Sequence, residues 1–150
     1  MLKGIDPLLN AEVLAALREM GHGDDLIIAD TNFPSASVAA ETRLGRLLRI
    51  DHFSASVARA VLSVYPLDTF VDDAAARMEV VGAPEEVPDV QLEVQSEIDA
   101  AEGKPWPMMS IERYAFYERA KQAYAVIQTG ERRFYGCFAF RKGVVPPDAD

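Results

Sequence analysis

The most constraining feature of the sequence is a short apolar run, Leu26-Ile27-Ile28-Ala29, with an aspartate on either side. Four consecutive apolar residues lack the alternation of polar and apolar positions that marks a strand with one face in water. The run therefore predicts a strand that is buried on both faces. Strands of this kind occur in parallel or mixed sheets.

A helix is predicted directly before this strand, over residues 7–20. Its start is indicated by Asp6 before Pro7, and Asn10 is a second candidate for the N-cap. Gly21 follows the last periodic residue and is a typical helix stop. The apolar positions of the segment recur at helical spacing and share one face, which is formed by Val13, Leu14, Leu17 and Met20.

Helical and extended patterns alternate along the rest of the chain, after a loop at residues 31–35. Helices are predicted from about Ser54 to the residue before Pro66, after Pro88 to Ala101, and from a Ser110 cap to about Gln122; strands are predicted over 75–81, 123–128 and 134–140. No repeat or linker divides the chain. The alternation predicts one α/β domain over residues 1–150, with helices covering a sheet and a frayed tail at 145–150.

The charge of the chain argues against a nucleic-acid partner. There are 15 basic and 24 acidic residues, which give a net charge of −9, and the basic residues are scattered. Such a surface repels a phosphate backbone. Arg43, Arg46 and Arg49 come closest to a basic stripe, but their spacing is more typical of a solvated helix face or of salt-bridge donors.

Membrane, disulfide and metal signals are all missing from the sequence. No apolar stretch approaches the roughly 20 residues of a membrane-spanning helix, and the first ten residues lack the apolar core of a secretory signal. We therefore expect no membrane partner and a cytoplasmic location. The single cysteine, Cys137, excludes an intrachain disulfide. With only His22 and His52 beside it, a Cys/His zinc site lacks ligands, and no carboxylate spacing suggests another metal site.

Two polar residues flank the predicted strand. His22 lies between two glycines, which let the backbone turn sharply and leave the imidazole free to exchange protons near neutral pH. Asp30 follows the strand, where ligands of open α/β sheets bind, and could hold sugar hydroxyls or take a proton. The alternatives are structural: His22 could cap exposed carbonyl groups, and Asp30 could close a turn by bonding to the backbone of Asn32 or Phe33.

The predicted strand also separates these two residues. Four extended residues place its ends about 13 Å apart. His22 and Asp30 could share a site if the 21–25 loop folded back along the strand, or if a second subunit supplied one of them. The spacing leaves both possibilities open.

Further candidates lie in the last third of the chain. Arg113 is near a predicted helix start, where a cation is poorly placed for the helix dipole; this indicates a ligand or a paired acid such as Glu112, with a plain surface arginine as the alternative. Tyr135-Gly136-Cys137 lies in the last predicted strand, where glycine permits close approach of a ligand or another chain. Cys137 has no basic neighbour in sequence and is expected to be a small buried apolar residue rather than a nucleophile.

Several segments, in order along the chain, match one known pattern. They are Met1–Leu9, Glu19–Asp30 with Phe33-Pro34, Tyr114–Ala120, Thr129-Gly130-Glu131, Tyr135-Gly136 and Lys142-Gly143-Val144. With these segments the sequence resembles the L-fucose mutarotase / D-ribose pyranase family. The segments from Tyr114 onward are similar to the fucose mutarotase branch, whereas residues 36–105 match only loosely.

The resemblance implies an α/β three-layer sandwich whose mixed, largely parallel sheet is covered by helices. It also implies ring-shaped homodecamers with monosaccharide sites where neighbouring subunits meet. By this likeness His22 is the proton donor, and Asp30, Arg113 and Tyr135-Gly136-Cys137 contact the sugar. The family usually has asparagine at position 137. A thiol is a weaker donor and acceptor, so we expect a backbone contact there to matter more than the side chain.

The implied reaction, mutarotation, needs neither cofactor nor metal. The ring oxygen gains a proton while the anomeric hydroxyl loses one, the ring opens, and it closes again as the other anomer. His22 is the expected donor; the base could be Asp30, Tyr135 or a held water. Two rival functions stay open: pyranose–furanose interconversion by a ribose pyranase, and non-catalytic monosaccharide binding that would not depend on His22.

Overall fold

Six strands form one sheet at the centre of the protein, with helices on both of its faces. The structure is a computed structural model in which residues 1–149 are described. The helices are α1 (Ala11–Glu19), α2 (Ser35–Ala39), α3 (Ser54–Leu62), α4 (Asp89–Glu102) and α5 (Arg113–Lys121); the strands are β1 (Asp25–Ala29), β2 (Leu48–Ile50), β3 (Ala75–Met78), β4 (Met109–Ile111), β5 (Ala125–Thr129) and β6 (Phe138–Arg141). The predicted α/β architecture is confirmed.

The strand order in the sheet is β2-β5-β1-β6-β3-β4. β5 pairs in parallel with both β1 and β2, and β3 pairs in parallel with β4. β6 is antiparallel to both of its neighbours, β1 and β3. The sheet is therefore mixed and largely parallel, as expected.

The side chains of β1 alternate between two apolar cores, one on each face of the sheet. Leu26 and Ile28 belong to the larger core, which α1, α3 and α4 close. Ile27 and Ala29 belong to the smaller core, which α2 and α5 close. All four side chains are fully buried. The prediction of a strand buried on both faces is confirmed, and the layers are helix, sheet and helix.

The predicted start of the first helix is wrong. α1 begins at Ala11, because the Asn10 side chain accepts the Val13 N–H at 3.0 Å and so caps the helix. The Asp6 carboxylate instead accepts the Leu8 N–H at 2.9 Å, in a turn before the helix. Of the two candidate N-caps in the sequence, only Asn10 caps the helix.

The start of α5 also differs from its prediction. Ser110 lies in β4 and caps no helix, while the Glu112 carboxylate accepts the N–H groups of Tyr114 and Ala115 at 2.9 and 3.0 Å. Residues 31–50 contain α2 and β2, which are too short to show a periodicity in sequence. Up to residue 149 the tail carries no helix or strand, and Asp150 lies outside the described residues.

The strand directions place the two ends of β1 at opposite edges of the sheet. We call the edge where β1, β3 and β5 end the carboxyl edge; the antiparallel β6 begins there. The opposite edge, the amino edge, holds the 21–24 loop that leads into β1. This loop is tied to the end of β6, since the Gly23 N–H donates to the Lys142 carbonyl at 2.9 Å and the Lys142 N–H donates to the Asp24 carbonyl at 2.8 Å.

Four charged side chains fasten the amino edge to a neighbouring loop. The Asp25 carboxylate accepts hydrogen bonds from Arg119 at 2.9 and 3.0 Å and from Arg141 at 3.0 and 3.2 Å. Both guanidinium groups also lie within 4 Å of the Asp73 carboxylate, which precedes β3. Burial alone would raise the pKa of Asp25, but the two arginines outweigh it and lower that pKa. The charged Asp25 thus holds Asp73, at the end of the 66–73 loop, near the sheet through the arginines.

The same loop lies against the segment that follows β6. The Gly143 N–H donates to the Pro66 carbonyl at 2.8 Å. A Cβ atom at position 143 would lie 2.5 Å from the Leu67 carbonyl oxygen and 2.9 Å from the Asp68 Cα. Only glycine allows the two backbones to approach this closely.

Alanine at position 143 should therefore destabilise the fold. Overpacking at a rigid contact costs about 1–3 kcal/mol, and the G143A protein should unfold at a correspondingly lower urea concentration. The matched control is Gly21→Ala, because a Cβ atom there meets only the Asp24 carboxylate, at 3.9 Å; its cost should stay within about 0.5 kcal/mol. Circular dichroism measures the urea midpoints of both variants. Equal midpoints would contradict the close approach of the two backbones at Gly143.

Candidate active site

A pocket of about 240 Å³ opens at the carboxyl edge of the sheet. It is formed by the residues that follow β1, end β3 and precede β6, together with α5. The residues that line it are Asp30, Asn32, Phe33, Met78, Val81, Arg113, Tyr117, Phe134, Tyr135 and Cys137. The structure thus brings together four of the predicted site residues: Asp30, Arg113, Tyr135 and Cys137.

Asp30 is held rigidly by the backbone around it. Its Oδ1 atom accepts the N–H groups of Asn32 and Phe33 at 2.9 and 3.0 Å. These bonds form the turn that the sequence offered as the structural alternative to a ligand-binding role for Asp30. Its Oδ2 atom accepts the Gly136 N–H at 3.1 Å and lies 3.6 Å from the Cys137 Sγ. One carboxylate therefore connects the end of β1 to the segment before β6. The residue is only 4% exposed.

Tyr135-Gly136-Cys137 does not lie in the last strand, contrary to the prediction. β6 begins at Phe138, and Tyr135 has a φ of 64°, in the left-handed region that interrupts an extended chain. The close approach at Gly136 is made by this chain itself. A Cβ atom there would meet Glu131 Cγ at 3.1 Å and Ser54 Oγ at 3.2 Å. The Gly136 N–H faces Asp30 and is already bonded.

Arg113 is the exposed cation of the pocket. Its Nε donates to the Tyr117 hydroxyl at 3.2 Å, and its guanidinium carbon lies 5.4 Å from the ring centres of both Tyr114 and Tyr117. The hydrogen bond to Tyr117 raises the pKa of Arg113. Glu112, the acid suggested from sequence as its partner, caps α5 instead, and within residues 1–149 no carboxylate pairs with Arg113. The guanidinium is therefore available to a ligand.

The thiol of Cys137 is buried beneath the pocket. The residue is 2% exposed and belongs to the smaller apolar core. Burial and the neighbouring Asp30 carboxylate raise the pKa of the thiol well above its usual value. The interpretation of Cys137 as a small buried residue is confirmed.

His22 lies at the amino edge and does not line the pocket. Its Nε2 atom is 3.2 Å from the Asp68 Oδ1 atom, its side chain is 46% exposed, and its ring centre lies 5.5 Å from that of Phe70. The 21–24 loop bonds to the end of β6 and does not fold back along β1. Within one chain, His22 and Asp30 therefore stay at opposite ends of the strand.

Asp68 is a candidate that the sequence analysis missed. It is 3% exposed, and its Oδ1 atom also accepts the Phe70 N–H at 3.0 Å. Burial alone would raise the pKa of Asp68, but the hydrogen bonds from Phe70 and His22 lower it. A negative carboxylate is thus fixed against the imidazole. The only signal in sequence was an aspartate among the apolar residues Leu67, Phe70 and Val71.

Other pocket residues were also missed. Tyr117 lies four residues after Arg113, a spacing that places both side chains on one helix face. Met78, Val81 and Phe134 form an apolar wall, and no local pattern joins residues that lie so far apart in sequence.

Two kinds of feature are missing from the described part of the chain. In residues 1–149, no helix is both long and apolar enough to cross a membrane. Over the same range, no group of three or more His, Cys, Asp or Glu side chains is placed to hold a metal ion.

Comparison with known proteins gives the chain a family. The model of the RbsD / FucU transport protein family matches residues 3–145. This chain belongs to the RbsD / FucU family. It is 40% identical to the fucose mutarotase of Danio rerio, over 153 residues that cover 99% of this chain and 97% of that protein. The family resemblance drawn from the sequence is confirmed.

Solved structures agree with the family assignment. The crystal structure of protein Atu2016 superposes with a TM-score of 0.95 and 63% identity, covering 97% of each chain. The fucose mutarotase from Streptococcus pneumoniae, in complex with L-fucose, superposes with a TM-score of 0.86 and 34% identity, covering 97% of this chain and 100% of that one. The three-layer fold is thus the fold of a sugar-binding relative.

The buried state of Cys137 leads to a test of the site geometry. In the folded protein, we expect iodoacetamide to alkylate Cys137 at least about 100-fold more slowly than a free cysteine, because the thiolate is both disfavoured and inaccessible. Alkylation should become fast in urea above the unfolding transition. Mass spectrometry over time measures both rates, and rapid labelling of the folded protein would show that the thiol faces solvent.

Proposed function

We propose that this protein is a mutarotase that interconverts the α and β anomers of L-fucose or a closely related monosaccharide. The observation that carries the proposal is the pocket at the carboxyl edge, in which a carboxylate, a guanidinium and a phenol surround a space about the size of a sugar ring. The similarity to fucose mutarotases over nearly the whole chain supports the same function.

The pocket can bind both kinds of surface that a sugar presents. Asp30 accepts hydrogen bonds from hydroxyl groups, and the weak thiol contact at its Oδ2 atom is the one that a sugar hydroxyl would replace. Arg113 donates to sugar oxygens and stays charged, so it orients the substrate rather than transferring protons. Phe33 and Met78 offer apolar surface to the C–H face of the ring. Tyr135 supplies a further hydroxyl.

Ring opening needs only proton transfer. A donor protonates the ring oxygen, and a base (Asp30, Tyr135 or a held water) takes the proton of the anomeric hydroxyl; the C1–O5 bond breaks and an aldehyde forms. Rotation about C1–C2 and the reverse transfer give the other anomer, so that no net proton, electron or co-reactant is consumed. His22 is the proposed donor. Asp68 is its positioning residue: it accepts the Nε2–H of the doubly protonated ring, and the Nδ1–H is the proton given to the sugar.

The site becomes complete only if a second copy of the chain contributes. His22 of one subunit would meet the pocket of a neighbour, in a homo-oligomer that the family resemblance predicts to be a decamer. Exposed apolar side chains flank both halves: Phe70 is 72% exposed beside His22, and Phe134 and Val81 are 73% and 60% exposed at the rim of the pocket. Apolar surface of this kind favours burial against another chain. A cytoplasmic location remains part of the proposal.

The decisive experiment is magnetisation transfer by NMR between the anomers of L-fucose, D-ribose and control sugars. Exchange of the L-fucose anomers supports the proposal. Faster pyranose–furanose exchange of D-ribose would favour a ribose pyranase, and sugar binding without exchange would favour a binding protein.

Replacing His22 by alanine should remove most of the exchange while the fold and assembly persist. The imidazole is half exposed and contributes little packing, and a general acid provides about 10²–10⁴-fold in rate. NMR exchange rates measure the loss, and light scattering checks that both proteins form the same oligomer. Unchanged exchange in a folded H22A protein would remove the catalytic role of His22. A monomeric wild-type protein would contradict the assembly.

A further inference from the structure

Tyr135 has the only left-handed backbone conformation among the non-glycine residues of the described chain, with a φ of 64°. A residue with a Cβ atom adopts this conformation only when its surroundings fix it. Such strained residues cluster at ligand sites, and Tyr135 lines the pocket. The contacts that hold Tyr135 therefore bear on how the pocket works.

Three hydrogen bonds fix the turn at Tyr135. The Gln91 Nε2 atom donates to the Tyr135 carbonyl at 3.0 Å, and the Val81 N–H donates to the Tyr135 hydroxyl at 3.2 Å. The next peptide is held by Asp30, through the Gly136 N–H at 3.1 Å. The carbonyl, the ring and the following amide of one residue are thus each held by a different element.

Gln91 is fully buried on α4, behind the sheet as seen from the pocket. Its Nε2 atom also donates to the Met78 carbonyl at 2.8 Å, at the end of β3. Its Oε1 atom accepts from Arg77 at 2.9 Å. Because Arg77 can only donate, this contact fixes which end of the amide points towards Tyr135.

Arg77 is itself unusual, since it is 8% exposed and pairs with no carboxylate in residues 1–149. Two more of its N–H groups donate to the backbone carbonyls of Pro84 and Glu86, at 3.1 and 3.3 Å. These residues belong to the segment that begins at Val81. One buried pair therefore holds both the Val81 segment and the Tyr135 turn, and Val81 and Tyr135 both line the pocket.

We propose that Gln91, oriented by Arg77, is a positioning residue that fixes Tyr135 for sugar binding. The proposal rests on the mutarotase function given above. Since the Tyr135 oxygen already accepts the Val81 N–H, its own O–H group points elsewhere and is free to donate to a sugar oxygen. Gln91 does not line the pocket, so in this proposal it affects the sugar chiefly through Tyr135.

The test compares two glutamines of α4 that each bind a neighbouring segment. Gln91→Met keeps the length of the side chain but loses its bonds to Tyr135, Met78 and Arg77. The matched control is Gln95→Met, because Gln95 bonds in the same way to Trp106 and Met108, away from the pocket. Wild-type, Q91M and Q95M proteins are assayed for L-fucose anomer exchange over a range of sugar concentrations, with thermal midpoints measured in parallel.

We expect Q91M to raise the KM for L-fucose about tenfold with a smaller change in kcat, since a sugar-binding contact is displaced. Q95M should lower the thermal midpoint by a similar amount but leave KM within about twofold. Gln91→Glu keeps an acceptor for Arg77 but replaces the donor by an oxygen that faces the Tyr135 and Met78 carbonyls, so it should raise KM even if Q91M fails to fold. In a Tyr135→Ala background, Gln91→Glu should add little to KM.

Three results would overturn the proposal. They are an unchanged KM in a folded Q91E protein, an equal rise in Q95M, and an effect of Gln91→Glu that is fully retained in the Tyr135→Ala background. The proposed function fails in a different way, because a wild-type protein that exchanges no L-fucose anomers would show that the reaction, and not the role of Gln91, was misassigned.

Discussion

The positions of the candidate site residues depend on the burial of both faces of β1. Helices cover the strand from each side, and none of Leu26–Ala29 reaches solvent. Reactive side chains can therefore appear only where the strand begins and where it ends. His22 and Asp30 occupy these two positions, and general acid–base catalysis requires donor and substrate within about 3 Å. A chain built in this way presents two half-sites, and in our proposal a second copy joins them.

The two half-sites hold their carboxylates by different means. At the carboxyl edge, Asp30 is bound by neutral backbone N–H groups that orient it towards the pocket. At the amino edge, Asp25 is bound by two arginines that hold the 66–73 loop, and this loop carries Asp68 to His22. Hydrogen bonds lower the pKa of Asp68 despite its burial, so it stays negative at neutral pH beside the imidazole.

Much of the fold was predictable because it depends on local patterns. The apolar run of β1 predicted its burial, and the alternation of helical and extended segments predicted the α/β class. The errors occurred where two local signals compete. Asp6 and Asn10 both resemble caps, and the cap that forms is Asn10, whose side chain also donates to the Arg49 carbonyl of β2, a contact distant in sequence. Likewise Ser110 has the chemistry of a cap but is taken up by the edge strand β4.

The site was less predictable because its contacts are distant in sequence. Asp30 could be proposed from its place after a strand, and Arg113 from its misplaced charge. The residues that position the site could not be proposed from the sequence. Asp68 meets His22 across 46 residues of chain, and Gln91 meets Tyr135 across 44. The left-handed turn at Tyr135 has no signal in sequence, because tyrosine in an apolar segment is typical of a strand.

Complementation between two inactive variants tests most directly our proposal that each active site takes His22 and Asp30 from different subunits. The H22A and D30A proteins, each inactive alone, are unfolded together in equal amounts and refolded into mixed oligomers. In a random mixture about a quarter of the shared sites regain both residues, and NMR should show L-fucose exchange at about that fraction of the wild-type rate. A mixed oligomer that stays inactive would contradict a site shared between subunits.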